Sequence, residues 1–175
     1  MNLKETLKTY GITSVWHFTD RSNLASIKKN GLLSLALLTR NGINVSCYGA
    51  DGLSHSLDRR KGIDKYVHLS IVKSHPMQYV KVKNGDIPNP IWLEIDISVL
   101  FENESLCCDG IANASSSQCY DIEQLDEVVN LKSLTGKKSS SNSTRKAQLL
   151  VANKIAYNKI KGIYNGKQTT IFNNE

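Results

Sequence analysis

Two polar side chains lie two residues apart at the end of an apolar, β-branched segment. The segment ITSVWHFT (residues 12–19) has the composition of a strand, so His17 and Thr19 share one face of it. A capped helix is predicted to follow directly, over residues 20–31, with Gly31 as its stop. This pattern places two hydrogen-bonding side chains and a helix N-terminus together, which suits a polar ligand. A half-buried histidine with structural hydrogen bonds alone is the alternative.

Two adjacent arginines form a second candidate. Arg59 and Arg60 lie in SHSLDRRKG (residues 54–62), near the end of a predicted helix, and cannot both face the same way. One could pair with Asp58 while the other reaches into a cleft, because a guanidinium matches a phosphate in a forked geometry. Two solvated arginines are the alternative.

A third candidate follows a predicted strand at an X-Pro break. The segment KSHPMQYV (residues 73–80) carries His75, Met77 and Tyr79. Pro76 is expected to end ladder pairing and to turn the chain across the sheet edge. Contact with a ligand is one interpretation of these side chains, and core packing of the methionine and tyrosine is the other.

The charge of the chain favours a polyanionic partner. The formal net charge is +6, and several basic clusters stand near aromatic residues. The clusters lie at residues 58–65, 81–83, 137–138 and 144–146, and the aromatic residues are Tyr66, Tyr79 and Tyr120. A solvated basic surface is the alternative.

The order of the predicted elements indicates an α+β fold with a mostly antiparallel or mixed sheet. Helices concentrate early, strands recur throughout, and no regular βα alternation is present. Beyond the first strand, strand patterns cover residues 66–72 and 91–100, and residues 147–151 and 155–163 form either two further strands or a strand and a turn. The polar segment TGKKSSSNSTRK (residues 135–146) is predicted to be a long exposed loop. The commonest glycine-rich nucleotide-binding loops are missing from the sequence.

Length and composition set further bounds. The 175 residues are expected to form a single domain. No apolar run suits a membrane span, and the N-terminus lacks the apolar core of a signal peptide, so a cytoplasmic protein is expected. The four cysteines lack metal-ligand spacing and are expected to be reduced, with no bound metal. They are Cys47, Cys107, Cys108 and Cys119.

Taken in order, these segments resemble the DarT-type ADP-ribosyltransferase toxins of DarTG toxin–antitoxin systems, which modify bases in DNA. The resemblance runs over about residues 12–165. The matching segments are HFT (17–19), SNLASIKKNGLLS (22–34), RR (59–60), YVHLSIVKSHPM (66–77), DGIANASS (109–116) and RKAQLLV (145–151). The segment VHLSI lacks the proline and aromatic residues usual in the family, so base recognition could differ.

The resemblance implies an ADP-ribosyltransferase fold, in which a split mixed sheet binds NAD+ as co-substrate without a Rossmann motif. The residues expected by position to bind NAD+ are His17, Phe18, Thr19, Asn23, Leu32, Arg59 and Arg60. His17 and Arg59 are also expected to take part in catalysis, with Arg59 favoured over Arg60 for the pyrophosphate.

The resemblance places the catalytic glutamate of the family on Gln148. Glutamine is nearly isosteric with glutamate and accepts a hydrogen bond, but it carries no charge and cannot act as a base. The chain is therefore expected to bind NAD+ and nucleic acid and to turn over poorly. An engineered substitution, favoured here because the rest of the motif series is intact, and a natural pseudoenzyme both explain this residue.

In such enzymes the segment before the catalytic residue helps to recognise the target, which assigns that role to the basic, serine-rich residues 132–147. A base attacked on its pairing edge must be unpaired, so single-stranded DNA is the expected substrate. The residues expected to bind it are His75, Met77, Tyr79, Tyr120, Lys137, Lys138, Arg145 and Lys146. RNA as substrate and a catalytically silent binding module are the alternatives. A macrodomain antitoxin partner follows from the resemblance, and a monomer is expected.

Overall fold

A seven-stranded antiparallel sheet organises the chain in the computed structural model, which describes residues 2–48, 52–136 and 142–166. The strands are β1 (Ser14–Asp20), β2 (Leu32–Leu33), β3 (Tyr66–Ser70), β4 (Pro90–Asp96), β5 (Ser105–Cys108), β6 (Cys119–Asp121), β7 (Gln148–Ala152), β8 (Lys154–Ile155) and β9 (Ile160–Asn165). The helices are α1 (Leu3–Thr9), α2 (Leu24–Asn30), α3 (Leu35–Arg40), α4 (Gly52–Lys61), α5 (Pro76–Lys83), α6 (Val99–Glu102), α7 (Leu125–Val128), α8 (Leu131–Thr135) and α9 (Asn142–Arg145). Short 3₁₀ turns lie at Arg21–Asn23, Ile122–Gln124 and Tyr157–Lys159.

The strand order in the main sheet is β6-β5-β7-β3-β1-β4-β9, and every neighbouring pair is antiparallel. β2 and β8 form a separate two-stranded ribbon. This architecture confirms the α+β class and the antiparallel sheet predicted from the sequence.

The sheet is split between the neighbouring strands β3 and β1. β1 pairs with β4 along all seven of its residues, whereas β1 and β3 share the single register pair Trp16 and Ser70. The two strands therefore diverge from that pair and leave a cleft between them.

One face of the sheet carries the main hydrophobic core. Alternate residues such as Val15, Leu93 and Leu149 point to this face and are almost fully buried. The helices α1, α2 and α7 cover it with side chains that include Leu7 and Leu125. A smaller apolar cluster that includes Tyr66 and Leu150 lies on the opposite face, so β3 and β7 carry buried side chains on both sides of the sheet.

Several predicted boundaries are wrong, for local reasons. The strand predicted over 91–100 ends at Asp96, because the Asp96 carboxylate accepts the Ser98 backbone N–H at 2.9 Å and starts a turn into α6. Pro76 begins α5 rather than only ending a strand, as its fixed φ suits the first helical position. The segment 135–146 is not a loop throughout, since α9 lies within it.

The cysteine prediction is wrong for one pair. Cys108 and Cys119 stand opposite each other on β5 and β6 and form a disulfide, while Cys47 and Cys107 are free thiols. Within the described ranges, no three His, Cys, Asp or Glu side chains come together as a metal site requires. None of the described helices is both long and apolar enough to cross a bilayer.

Candidate active site

A cavity of about 220 Å³ opens where β1 and β3 diverge. Its strand side is formed by residues on both sides of the split, among them Trp16, His17, Ser70 and Gln148. Its other sides include residues of α2, β2, α3, α4 and the start of α5, together with the segment 45–48 and the loop around residues 111–113. The split in the sheet is therefore the feature that creates the site.

The His17 side chain spans the split. Its Nδ1 lies 2.9 Å from the carbonyl oxygen of His68 on β3. Since a carbonyl only accepts, Nδ1 carries the proton, and the neutral ring keeps an accepting lone pair on Nε2. Burial lowers the pKa of His17 to about 4, against the smaller upward effect of the His68 carbonyl. The ring is thus neutral at pH 7 and offers an acceptor for a ligand hydroxyl.

Asn23 fixes one wall of the cavity. Its amide nitrogen donates to Thr19 Oγ1 at 3.0 Å and to the Cys47 carbonyl at 2.6 Å. Its amide oxygen accepts the backbone N–H groups of Ser46 and Cys47 at 3.1 and 3.3 Å. All four hydrogen-bond partners of the Asn23 side chain are protein groups, so Asn23 holds the segment 45–48 against β1.

Gln148 is the first residue of β7 and lies in register with Ser70 on β3 and Cys108 on β5. Its Oε1 accepts the backbone N–H of Ala112 at 2.9 Å. A carboxylate oxygen could accept the same N–H, because this interaction requires only an acceptor. The position is therefore built to hold a side-chain oxygen at the cavity.

The loop that carries the Ala112 N–H is anchored on α4. The Lys61 ammonium donates to the carbonyls of Ala112 at 3.0 Å, Ala114 at 2.5 Å and Ser117 at 3.3 Å. The amide of Asn113, one residue further on, donates to a carboxylate oxygen of Asp58, which is buried and lines the cavity, at 3.0 Å. These contacts fix the direction of the N–H that meets residue 148.

His75 and Met77 both line the cavity, as the sequence suggested for a ligand-contacting segment. His75 is only 3% exposed, and its Nδ1 accepts the Met77 N–H at 3.2 Å as the N-cap of α5. Its Nε2 donates to the Lys146 carbonyl at 3.3 Å, and burial lowers its pKa to about 4. Both ring nitrogens are engaged, so His75 acts here by positioning α5 and the chain before β7.

The structure does not bring the two arginines into the cavity. Asp58 faces it, whereas Arg59 and Arg60 are exposed. Arg59 follows the cavity-lining His55 by one helical turn, and Arg60 is rotated a further 100° away. Arg59 is thus the nearer of the two to the cavity mouth, and its contact with a pyrophosphate stays a prediction.

Of the other predicted NAD+ residues, Phe18, Thr19 and Leu32 line the cavity. The predicted DNA contacts are more scattered. Tyr79 is exposed on α5, outside the cavity, and Tyr120 packs against the main core on the face opposite Gln148, which does not suit base stacking at the cavity.

The rest of the predicted basic segment lies before β7. Lys146 is exposed, and Arg145 ends α9 with part of its side chain covered. Lys137 and Lys138 lie outside the described residues. Arg145 and Lys146 therefore keep their predicted place beside residue 148, and neither lines the cavity.

Sequence reasoning missed several lining residues. His68 and Ser70 are on the cavity face of β3, and the alternation of Val67 and Leu69 toward the core was the signal that could have identified them. Tyr48 and His55 also line the cavity, with their rings in edge contact at 4.8 Å, and no spacing in the sequence links them.

The chain matches one protein family over most of its length. The family model described as ssDNA thymidine ADP-ribosyltransferase, DarT, matches residues 16–171. A search of curated proteins finds no match.

Solved structures share the fold. Thermosipho africanus DarTG in complex with ADP-ribose superposes with a TM-score of 0.70 at 22% identity, over 87% of this chain and 44% of that chain. Thermus sp. 2.9 DarT in complex with ADP-ribosylated ssDNA gives 0.66 at 17% identity, and in complex with NAD+ gives 0.58 at 17%, each over 87% of this chain and 81% of that chain. The chain thus spans less than half of the DarTG chain. At these identities the likeness establishes the fold, and it confirms the ADP-ribosyltransferase fold expected from the sequence.

Proposed function

Because the chain belongs to the DarT family, we propose that it is built to transfer ADP-ribose from NAD+ to a base of single-stranded DNA, with thymine as the base. The observation that carries the proposal is the side-chain oxygen of residue 148, held by the Ala112 N–H at the cavity in the split of the sheet. The relatives in this fold that bind NAD+ and ADP-ribosylated ssDNA support it.

The cavity suits part of a dinucleotide. Its volume of about 220 Å³ is below the roughly 300–1,000 Å³ of most ligand pockets, so it has room for the nicotinamide and its ribose and not for all of NAD+. His17 and Thr19 are at its strand side and can meet ribose or amide groups there. The remaining phosphates would lie at the open mouth, on the side of α4 that carries Arg59.

The reaction needs a negative charge beside the sugar. NAD+ supplies the ADP-ribosyl group, and positive charge develops on the ribose as nicotinamide leaves. A carboxylate at residue 148 would stabilise that charge and could accept the proton of the attacking base. Gln148 can hold a ribose hydroxyl through hydrogen bonds but supplies neither the charge nor the base. A positioned base alone is worth about 10²–10⁴-fold in rate, so we infer that the chain as it stands turns over poorly.

Gln148 also favours a second candidate, a catalytically silent module that binds NAD+ or nucleic acid. In that case the amide is native and the site has kept its shape without the chemistry. The two candidates differ only in what a carboxylate at residue 148 would do, which makes them separable by one substitution.

The partner is proposed on the same basis. A related chain is a DarTG protein, in which the matched part covers less than half of the length. We infer an antitoxin partner for this chain, of the macrodomain type that removes ADP-ribose.

The test is Gln148→Glu, incubated with NAD+ labelled in the ADP-ribose part and with single-stranded DNA or RNA oligonucleotides. Label on thymine-containing DNA is expected, at a rate at least about 100-fold above the Gln148 form. Gln124→Glu is a matched control, because Gln124 is exposed on a turn away from the cavity and changes the net charge equally.

Each outcome separates the candidates. Label found only on RNA would mean that RNA, and not DNA, is the substrate. Retained binding of NAD+ without label on either nucleic acid would instead support the silent module and contradict the transferase.

A further inference from the structure

We propose that Trp16, Tyr164 and Lys73 form a second nucleotide subsite, which stacks a base next to the target base in single-stranded DNA. These three residues are called the aromatic platform below. The proposal rests on the proposed function, because it extends the same substrate beyond the cavity. None of the three was assigned to nucleic acid by the sequence.

The Tyr164 ring is held in a fixed place on the sheet. It lies across Gly162, where an added Cβ would come within 2.8 Å of the ring. Its hydroxyl donates to Glu94 Oε2 at 2.8 Å, and its ring meets Trp16 edge to face with centroids 5.8 Å apart. Tyr164 is nevertheless 41% exposed, so a preorganised aromatic surface faces solvent.

The platform is continuous with the cavity. Trp16 itself lines the cavity, and it is in register with Ser70, which is in turn in register with Gln148. These three residues therefore form one row across neighbouring strands, on the same face of the sheet. Two strand spacings separate Trp16 from Gln148, about 10 Å, so a nucleotide adjoining one bound at Gln148 would reach the platform.

The Lys73 ammonium lies over the two rings of the platform. Its Nζ stands 4.3 Å from the centroid of the Tyr164 ring and 5.6 Å from that of Trp16. An exposed cation–π contact is weaker than the stacking of a base on an aromatic ring. A base would therefore displace the exposed, flexible lysine, and the freed ammonium could pair with an adjoining phosphate.

The charge around the platform suits a polyanion. The Glu94 carboxylate is occupied by the hydroxyls of Ser14, at 2.6 Å, and Tyr164, and lies 3.8 Å from the Lys161 ammonium. Lys161 and Lys73 both act on this one carboxylate, so the group formed by Glu94, Lys161 and Lys73 carries a net positive charge. Aromatic rings that stack any base, together with a cation for the phosphate, are the combination used by proteins that bind single strands.

The test measures binding of a fluorescent single-stranded DNA with one thymine to the chain that carries Gln148. Oligonucleotides carry either all bases or an abasic site at one position flanking the thymine. Tyr164→Leu is expected to weaken binding of the intact strand about tenfold, within the roughly 5- to 140-fold that a lost stack allows. Tyr164→Phe, which keeps the ring, is expected to retain most of the affinity.

The abasic strands decide where the base lies. For one flanking position, removing the base should weaken binding to the unsubstituted chain, and Tyr164→Leu should add no further loss. Tyr157→Leu is the matched control, because Tyr157 is 37% exposed on a turn outside the cavity and the platform. Lys73→Met should lower the slope of log affinity against log salt by about 0.7, the value for one phosphate contact on a single strand.

Several results would overturn the subsite. One is that the loss of affinity caused by Tyr164→Leu and the loss caused by the missing base add together at every abasic position. Another is DNA binding by Tyr164→Leu equal to that of Tyr157→Leu, while Gln148→Glu still labels DNA. Association of two copies of the chain that Tyr164→Leu abolishes, with DNA binding unchanged, would assign the platform to self-association instead. If neither DNA binding nor labelling occurs in any form, the proposed function itself fails, and the subsite with it.

Discussion

Two imidazoles with lowered pKa values make the stability of this fold depend on pH. Burial lowers the pKa of both His17 and His75 from 6.5 to about 4. The unfolded chain therefore binds more protons than the folded one below pH 6.5, so stability is fully present above that pH and falls toward pH 4. The loss occurs in a window where most carboxylates stay ionised.

The size of the loss follows from the two pKa values. A histidine that titrates at 6.5 in the unfolded chain and at about 4 in the folded one costs about 2 kcal/mol at pH 5 and about 3.4 kcal/mol once the pH is well below 4. His75 is almost fully buried and should approach these values, whereas His17 lines the cavity and should contribute less. Together we expect a loss of about 3 kcal/mol between pH 7 and pH 5.

The assay is urea unfolding at pH 7, 6 and 5, with His75→Asn as the variant. Asparagine is a good N-cap, so its side-chain oxygen can still accept the Met77 N–H while the titrating group is removed. The variant should lose about 2 kcal/mol less than the unsubstituted chain over this range. The comparison is made within each protein, because the lost bond to the Lys146 carbonyl lowers stability by about 1 kcal/mol at every pH. Parallel pH profiles for the two proteins would refute the reasoning.

Three further substitutions test the contacts that support the site, each by urea or thermal unfolding at pH 7. Asp20→Ala should cost about 2–4 kcal/mol, because this buried carboxylate accepts two backbone N–H groups, at 2.9 and 2.8 Å, which would lose their partner; a cost below 1 kcal/mol would contradict this. Lys61→Met should cost about 1–2 kcal/mol, because water can replace part of the hydrogen bonding that the exposed ammonium provides to its three carbonyls. Lys65→Met, which removes the weaker ion pair between Lys65 and Glu104, should cost less. Cys119→Ser should cost about 2–3 kcal/mol, as expected for opening a disulfide loop with a sequence separation of 11, and a reductant should then have no further effect on the variant.

The sequence was sufficient wherever the cause of a structure is local. The strand with His17 and Thr19, the helix after it and its end at Gly31 follow from patterns only a few residues long. Two independent reasons require glycine at residue 31. Its φ is 81°, and an added Cβ would stand 2.7 Å from the Ile155 carbonyl oxygen. Only the first of these reasons can be read from a helix-ending pattern, because the second depends on the ribbon formed by β2 and β8.

The parts of the site that the sequence did not reveal depend on distant contacts. The Ala112 N–H reaches residue 148 across 36 positions, and Lys61 reaches the same loop across more than 50. No periodicity encodes such pairs, because they arise from strand order and from where α4 packs. Arg59 shows the same limit, since the motif identified the pair of arginines but not the rotation of the helix that turns Asp58 to the cavity.

Replacement of the neutral Gln148 by a charged glutamate should change the free energy of unfolding very little. An effect of this substitution on activity can then be assigned to chemistry and not to folding. Gln148 and a glutamate accept the same Ala112 N–H, and residue 148 is only half-buried at a cavity open to water, so a carboxylate there keeps much of its solvation. A hydrogen bond to the charged form is also the stronger one, which offsets part of the cost of burial. Gln148→Glu is therefore expected to change the free energy of unfolding by less than about 1 kcal/mol at pH 7, while Gln148→Leu, which leaves the N–H without an acceptor, should cost about 1–3 kcal/mol. Destabilisation by Gln148→Glu beyond that of Gln148→Leu would mean that the cavity does not tolerate a carboxylate, and the amide would then be the residue for which the site is built.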